Sequence, residues 1–304
     1  MLKKVDAVVV TYNRLDLLKK CLQALLSQTY KLQNIFVIDN NSQDETLLFL
    51  RELSKKYPSI KPIHLSTNIG GAGGFYVGLK AFIEKSKSDY VWIMDDDAIP
   101  TSSALTKIMN KTNQIKKFGF LSSNVRWKDD SPAKMNIPQP TEDWNENITQ
   151  GLVEVEYASF VAILFPREVI LKVGLPIKEY FIWGDDVEYT KRITQAGLKG
   201  YMVIDSIVHH EIKQNIGTNI VTEKDENRIK RYYFAKRNTF FTMKKRYNKK
   251  EFAKWIINVA FYEPIKILHS SPNKKILRIK TTYKGIFAGM IFHPHIYRFK
   301  DSKK

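Results

Sequence analysis

Three consecutive aspartates, Asp95, Asp96 and Asp97, carry the clearest chemical signal in this sequence. They directly follow a short apolar run, VWIM, which is typical of a buried strand that ends at a ligand-binding crevice. Adjacent carboxylates repel one another, and Mg²⁺ or Mn²⁺, which prefers oxygen ligands and is usually shared with phosphate, would neutralise them. Because side chains alternate along an extended segment, Asp95 and Asp97 could hold one metal ion while Asp96 binds another group. The alternative is a solvated acidic turn before a helix that starts near Pro100.

A second pair of acids follows an aromatic-rich turn, YFIWG. Asp185 and Asp186 stand at the start of a predicted helix that closes near Gly197. Acids at a helix N-terminus often only cap it, and this is the simpler interpretation for one of the two. The other would then face outward into a crevice beside Trp183.

Two histidines, His209 and His210, end a predicted strand over residues 200–211. Neighbouring side chains on a strand point to opposite faces, so one of the pair can face the site. A lone histidine is more often structural than a ligand. Two of them at the end of a strand that borders the predicted metal site favour a functional role for one.

Alternating strands and helices are predicted to position these residues. Apolar runs predict strands at residues 5–12, 34–39, 61–67 and 91–94, separated by helices at 15–26, 44–56 and 75–85. This alternation indicates a right-handed, parallel α/β sheet whose strand ends meet at one edge, where a nucleotide could bind. Further along, a helix at 102–117, a strand at 119–125, and one long or two short strands at 153–166 are predicted. Residues 127–151 are predicted to be a surface excursion.

Four glycines, Gly70, Gly71, Gly73 and Gly74, lie between the third strand and its helix. Glycines let backbone N–H groups approach a phosphate at a helix N-terminus. The pattern matches neither the Walker sequence nor a dinucleotide fingerprint, so a flexible turn is the alternative.

Composition indicates a globular protein of a reducing compartment. The 304 residues include 43% hydrophobic ones, enough for a sizeable core. The one cysteine, Cys21, cannot form an internal disulfide, which favours a cytoplasmic setting. Asp6 interrupts the N-terminal apolar run and argues against a signal peptide, and no stretch reaches the roughly 18 apolar residues of a membrane span.

The charge of +18 is concentrated at the C-terminal end. Residues 224–304 contain 22 lysines and arginines against 5 acids, whereas residues 1–223 are nearly balanced. We therefore predict two parts, a catalytic domain over 1–223 and a basic helical region over 224–304. Predicted helices at 225–247, 251–270 and 274–291 mix apolar residues with lysines, which suits an anionic membrane surface. The alternatives are a helical cap packed on the catalytic domain and, less favoured because no nucleic-acid motif is present, nucleic-acid binding.

Six motifs in order resemble glycosyltransferase family 2, of the GT-A fold. They are VVVTYNR, VIDNNSQDET, TNIGGAGGF, WIMDDDAIP, FIWGDDVEYTKRI and VHH, and together they span roughly residues 5–212. Within the family the sequence resembles bacterial galactofuranosyl and rhamnosyl transferases. The resemblance implies a Rossmann-like mixed sheet flanked by helices, with the basic helical region as an extension. Little of it extends beyond residue 240.

The resemblance also implies a role for each matching residue. Asp95 and Asp97 would bind Mn²⁺ or Mg²⁺, completed by His210, with His209 as the alternative ligand. Asp186 would be the catalytic base, while Asp185 and Trp183 would shape the acceptor site. The implied nucleotide-binding residues, among which Asp39 would accept a hydrogen bond from the uracil, are Thr11, Tyr12, Arg14, Asp39, Asn68, Gly70, Gly71, Gly73, Gly74 and Asp96.

The implied reaction is a single inverting displacement on a nucleotide sugar. A UDP-sugar, with galactofuranose as the first candidate, would donate its sugar to a glycan or lipid-linked glycan at the inner face of the cell membrane, in the synthesis of surface polysaccharide. A dTDP-rhamnose donor, a sugar nucleotidyltransferase and a non-catalytic, membrane-bound binding module are the alternatives. Residues 127–151 and 211–222 are expected to decide specificity, the latter as a lid over the bound donor.

Overall fold

A computed structural model describes residues 3–115 and 117–299. Within these ranges, ten strands form a single sheet and ten α-helices surround it or extend from it. The strands are β1 (Val5–Thr11), β2 (Ile35–Asp39), β3 (Ile60–His64), β4 (Tyr90–Asp95), β5 (Ala98–Pro100), β6 (Phe120–Trp127), β7 (Gln139–Pro140), β8 (Leu152–Tyr157), β9 (Ile163–Pro166) and β10 (Gly200–His210). The helices are α1 (Leu15–Leu26), α2 (Thr46–Lys56), α3 (Gly70–Lys85), α4 (Ala104–Thr112), α5 (Arg167–Val173), α6 (Asp185–Gln195), α7 (Glu226–Arg246), α8 (Lys249–Ile257), α9 (Glu263–Ser270) and α10 (Lys275–Ile291).

The first four strands run parallel, which confirms the predicted α/β alternation. β1 lies between β2 and β4, and β3 pairs with the outer side of β2. All seven residues of β1 are buried, as expected for a strand covered by helices on both faces. The register sets Thr11 opposite Asp39 and Val10 opposite Asp95, so the polar strand ends share one edge of the sheet.

The second half of the sheet is mixed, in agreement with the fold class that the family resemblance implies. β9 is antiparallel to both β4 and β6, and β10 is parallel to β6 and antiparallel to β8. The segment 153–166 is therefore two short strands rather than one long strand. The three-residue strand β5, which the apolar pattern did not predict, pairs with the end of β10 and sets His210 opposite Ala98.

Apolar helix faces cover the sheet on both sides. On one side, Leu18 and Leu22 of α1 pack with Ile108 of α4 against residues such as Trp92. On the other side, the core is built from α3 and α6, which contribute Leu79, Phe82, Tyr189 and Ile193. The periodic spacing of apolar residues in the sequence therefore predicts that these four helices exist, although not all of their boundaries.

Two predicted helix boundaries are wrong. The third helix begins at Gly70 instead of residue 75, so the glycines are part of the helix. Three of them pack closely against neighbouring groups, where a larger side chain would clash. The helix predicted at 102–117 spans only Ala104–Thr112, where its buried apolar face ends. The sequence pattern also missed the short helix α5.

The three predicted C-terminal helices are present, and the middle one is divided. A π-helical turn, Asn258–Tyr262, joins α8 to α9, and Pro264 stands in the first turn of α9. The 21-residue helix α7 packs along α10 and also contacts α6. In the described part of the chain, no helix combines the length and the apolar character needed to cross a membrane.

Candidate active site

Both acid clusters face one cavity of about 1100 Å³ at the carboxyl ends of β1 and β4. The clusters are separated by some 90 positions in the sequence, and the fold brings them together because α6 starts beside the sheet edge at which β4 ends. The wall includes eight of the site residues named from the sequence: Arg14, Gly71, Asp95, Asp97, Trp183, Asp185, Asp186 and His210.

Asp96 points away from the cavity, between the two neighbours that line it. Its Oδ2 accepts a hydrogen bond of 2.8 Å from Thr11 Oγ1, and its carboxylate lies 3.3 Å from the Arg14 guanidinium. Arg14 also donates to Asp97 Oδ2 at 2.7 Å. Burial raises the pKa of Asp96 to about 6. Burial, followed by the negative charge of Asp97, raises the pKa of Asp95 to about 7. For Asp97, burial would raise the pKa, but the His210 imidazole and the Arg14 guanidinium outweigh this effect and hold it below its usual range. Asp95 and Asp96 thus have less compensation from positive charge than Asp97.

His210 is held with its Nε2 atom towards the acids. Its Nδ1 lies 2.7 Å from Asn136 Oδ1, while the amide nitrogen of Asn136 donates to Ser159 Oγ at 3.0 Å. Because Asn136 presents an acceptor, Nδ1 carries the proton and Nε2 of a neutral ring presents a lone pair. That Nε2 lies 3.2 Å from Asp97 Oδ1, a buried oxygen with no other hydrogen-bond partner among the described residues. His209 faces the opposite way and contacts Asp130 at the surface.

These three side chains fit a hard divalent cation. Two carboxylates and one imidazole nitrogen are ligand types that Mn²⁺ accepts. A positive ion between Asp97 Oδ1 and His210 Nε2 would remove the repulsion between their lone pairs. Over residues 3–115 and 117–299, no three side chains of His, Cys, Asp or Glu are gathered into a preformed metal cluster. Ions of this kind commonly keep several waters and share substrate phosphates, so a partial protein shell is consistent with such a site.

The turn before α6 is conformationally unusual and aims the second pair of acids. Phe181 and Trp183 have φ values of +63° and +67°, and Gly184 follows at +86°. Positive φ is costly for aromatic residues, so other contacts must hold the turn. Burial and then the neighbouring charge of Asp186 raise the pKa of Asp185 well above its usual range, and the charge of Asp95 adds to this effect. The two acid clusters are thus within electrostatic reach of each other.

A buried asparagine of α7, Asn238, holds this turn. Its Nδ2 donates to the carbonyl oxygens of Tyr180, Ile182 and Trp183 at 2.9, 3.1 and 2.8 Å. Arg237 donates to Asn238 Oδ1 at 2.9 Å and so fixes the direction of the amide. The sequence analysis missed Asn238, because one asparagine in a basic, aromatic-rich helix has no distinguishing pattern. The basic helical region therefore helps to shape the cavity.

The glycine-rich segment contacts the same turn. A Cβ at Gly70 would lie 2.0 Å from the carbonyl oxygen of Phe181, and a Cβ at Gly74 would lie 2.5 Å from Val10. Gly73 packs in the same manner against Ile69. Gly71, in contrast, faces open space and lines the cavity. Three of the four glycines thus permit close packing within the protein, and Gly71 leaves room for a ligand.

Several residues predicted to bind the nucleotide lie outside the cavity wall, at the same sheet edge. The fully buried Asp39 lies 2.8 Å from His64 Nδ1 and accepts from the backbone of Ser42. Asn68 accepts from the N–H of Gly70 at 2.8 Å. The side chain of Tyr12 is exposed at the surface. Asn40, which the sequence analysis did not single out, bonds both Ile69 and Gly70 and fixes the start of α3.

The chain is similar in sequence and fold to known glycosyltransferases. The profile described as "Glycosyl transferase family 2" matches residues 6–168. Galactofuranosyltransferase GlfT1 of Mycolicibacterium smegmatis is 27% identical over 247 residues, which cover 75% of this chain and 80% of that protein. A Campylobacter jejuni protein, GalNAc(5)-diNAcBac-PP-undecaprenol beta-1,3-glucosyltransferase, is 33% identical over 113 residues, covering 36% and 35%. The solved structure of GalNAc-T7 with UDP, GalNAc and Mn²⁺ has a TM-score of 0.60 at 14% identity. It covers 84% of this chain, which spans 55% of that one, and it indicates a shared GT-A fold.

Proposed function

Because the chain belongs to glycosyltransferase family 2, we propose that it is an inverting, metal-dependent enzyme that transfers a sugar from a UDP-sugar to a hydroxyl group of a glycan. The observation that carries the proposal is the shared cavity. Asp95, Asp97 and His210 line it together with Asp185 and Asp186. A cation site and a candidate base thus border a single space large enough for a nucleotide sugar and an acceptor.

Asp95, Asp97 and His210 would hold the divalent ion. When bound, Mn²⁺ or Mg²⁺ would stabilise the negative charge that develops on the leaving diphosphate. Asn136 would keep the His210 ring in the orientation that turns Nε2 towards this ion.

Asp186 would act as the general base. It would accept the proton of the acceptor hydroxyl as that oxygen attacks the anomeric carbon and the bond to the diphosphate breaks. Burial raises the pKa of Asp186 to about 6, which leaves it mostly ionised at neutral pH and makes it a stronger base than an exposed aspartate. One displacement inverts the anomeric carbon, so no covalent sugar–protein intermediate forms.

The sheet edge would bind the nucleotide. Arg14 and Gly71 line the cavity, and Thr11, Tyr12, Asp39 and Asp96 lie along the adjoining strand ends. Asn68, Gly70, Gly73 and Gly74 would act by shaping the start of α3, since their contacts are with the protein itself.

The donor and acceptor assignments rest on the relatives. The similarity to a galactofuranosyltransferase supports UDP-galactofuranose as the first donor to test. The Campylobacter protein is named for an acceptor with a PP-undecaprenol end, which supports a lipid-linked glycan as the acceptor.

The C-terminal helices would hold the enzyme on an anionic membrane at the cytoplasmic face. Phe261 and Phe287 are 64% and 63% exposed, and Ile276 and Ile291 are about four-fifths exposed. Lysines alternate with these apolar residues along the sequence of residues 224–304, the region that carries most of the net charge. We expect the protein to sediment with vesicles that contain anionic lipid, and a Phe261→Ser and Phe287→Ser double variant to remain in the supernatant.

The direct test of the proposed activity is hydrolysis and transfer with a panel of UDP- and dTDP-sugars, with and without Mn²⁺. We expect one UDP-sugar to be turned over only in the presence of the metal. Absence of UDP binding by calorimetry in the presence of Mn²⁺ would contradict the proposal.

A further inference from the structure

Helix α7 brings a row of cations into the catalytic cavity. Arg228 and Arg231 line its wall, and Lys224, just before the helix, lines it as well. Ala235 and Thr239 continue the same face at helical spacing. One stripe of α7 therefore runs along the cavity, with its positive charge confined to the N-terminal half.

Acidic neighbours compensate this positive charge only in part: Glu223 and Asp225 line the same wall, and Glu223 forms an ion pair with Arg228. In the described part of the chain, Lys224 Nζ and the Arg231 side chain have no hydrogen-bond or ion-pair partner. Arg228 Nε lies 2.9 Å from Glu223, but its buried Nη2 has no hydrogen-bond acceptor among residues 3–115 and 117–299. A buried guanidinium nitrogen without an acceptor is costly, so the arrangement favours an anion from outside the protein.

The stripe lies beside the turn that precedes α6. The Tyr232 ring packs on Trp183, with ring centroids 5.0 Å apart, next to the turn that presents Asp185 and Asp186. The nucleotide edge, with Thr11 and Asp96, belongs to the sheet instead. A hydroxyl positioned at Asp186 would thus belong to a molecule that extends along α7.

We propose that Arg228 and Arg231, assisted by Lys224, bind a phosphate group of the acceptor. The inference rests on the proposed glycosyl transfer and specifies its acceptor as a phosphate-bearing glycan. Planar guanidinium groups suit this task, because they bind phosphate oxygens through paired hydrogen bonds. With a helical rise of 1.5 Å per residue, Arg228 lies about 10 Å along α7 from Ala235.

The test is calorimetry on the full chain with saturating UDP and Mn²⁺, so that the diphosphate site of the donor is already filled. The probe is N-acetylglucosamine 1-phosphate, and its phosphate-free match is methyl N-acetylglucosaminide. The test variant is Arg228→Gln combined with Arg231→Gln. Arg231→Gln alone is a second variant, which we expect to fold normally because this exposed side chain forms no hydrogen bond or ion pair within the described residues. The matched control is Lys244→Gln with Lys245→Gln, which removes two exposed charges from the other end of the same helix.

We expect the wild type to prefer the sugar phosphate, the double variant to bind it at least about tenfold more weakly with UDP affinity unchanged, and the control to match the wild type. Arg231→Gln should fall between the two. Equal binding of the sugar phosphate and the methyl glycoside by the wild type would overturn the subsite. Loss of UDP affinity in the double variant would also overturn it, because these cations would then belong to the donor site. Failure of the wild type to bind UDP would instead count against the proposed function.

Discussion

The sheet edge and helix α7 contribute to the same cavity in different ways. The sheet edge supplies acids whose positions follow directly from strand register, such as Asp95 opposite Val10. Helix α7 supplies an amide, Asn238, and a stripe of cations, which depend on how a distant helix packs. The charge boundary near residue 224 separates two kinds of composition, but the cavity spans it. A region that differs sharply in charge is therefore still part of the site.

The largest expected effect comes from the catalytic turn. Replacing Asp186 by Asn should lower the transfer rate by about 10²–10⁴-fold, because a general base contributes on this order, while UDP binding stays nearly intact. Asp205→Asn, which changes an exposed acid that faces Lys107 outside the cavity, is the matched control and should transfer at the wild-type rate. Transfer by Asp186→Asn at close to the wild-type rate would assign the base elsewhere, with Asp185 as the next candidate.

At the sheet edge, the two adjacent histidines allow a matched comparison. His210→Ala should weaken Mn²⁺ binding in the presence of UDP by about 10–100-fold, since it removes one ligand of a partial shell. His209→Ala should leave Mn²⁺ affinity unchanged, because this ring faces Asp130 outside the cavity. Electron paramagnetic resonance titration of Mn²⁺ measures both. Equal affinities in the two variants would remove His210 from the metal site.

Removing the side-chain amide of Asn238 tests the contribution of helix α7 to the site. Asn238→Ala removes the amide that donates to the carbonyls of Ile182 and Trp183, and one of the donors to Tyr180, and we expect the free energy of unfolding to fall by about 1–3 kcal/mol. The turnover number should fall on the order of tenfold while the affinity for UDP is kept, because the turn carries the proposed base, whereas we propose that the nucleotide binds at the sheet edge.

Asn248→Ala is the control for that change. Asn248 caps α8 with a capping box, so its loss should cost about 1 kcal/mol of stability and leave turnover unaltered. If both variants lose turnover in proportion to stability alone, Asn238 has no specific role in positioning the turn.

The pH dependence of the activity is the smallest of the expected effects. The base acts in its ionised form, and burial raises the pKa of Asp186 to about 6, so activity should rise with pH through that value. We expect kcat/KM to increase about tenfold between pH 5 and pH 7 and then to level off. A profile that is already flat at pH 5 would mean that the group accepting the proton has an ordinary carboxylate pKa.

The sequence predicted the acidic residues of the candidate site better than it predicted the residues and pairings that hold the site in place. The acids at 95–97 follow an apolar run, so their place at a strand end could be predicted from local pattern. The pairing of β5 with β10, which sets His210 beside the acids, joins residues more than 100 positions apart and has no local signature. The same holds for Asn238.

The start of α3 shows how packing overrides propensity. Glycine disfavours a helix, which placed the predicted start at residue 75. The helix instead begins at Gly70. Glycines occupy its first turn because Phe181 and Val10 approach so closely that a larger side chain would clash. Which of the glycines faces a ligand could not be predicted from their spacing.

The central claim is that one cavity holds both a metal site and the base. A crystal structure with UDP and Mn²⁺, in which the ion is located by its anomalous scattering, tests it most directly. We predict a single manganese peak between Asp97 and His210, in contact with the diphosphate, with Asp186 facing the same cavity. Bound UDP with its manganese ion away from Asp95, Asp97 and His210 would contradict the account.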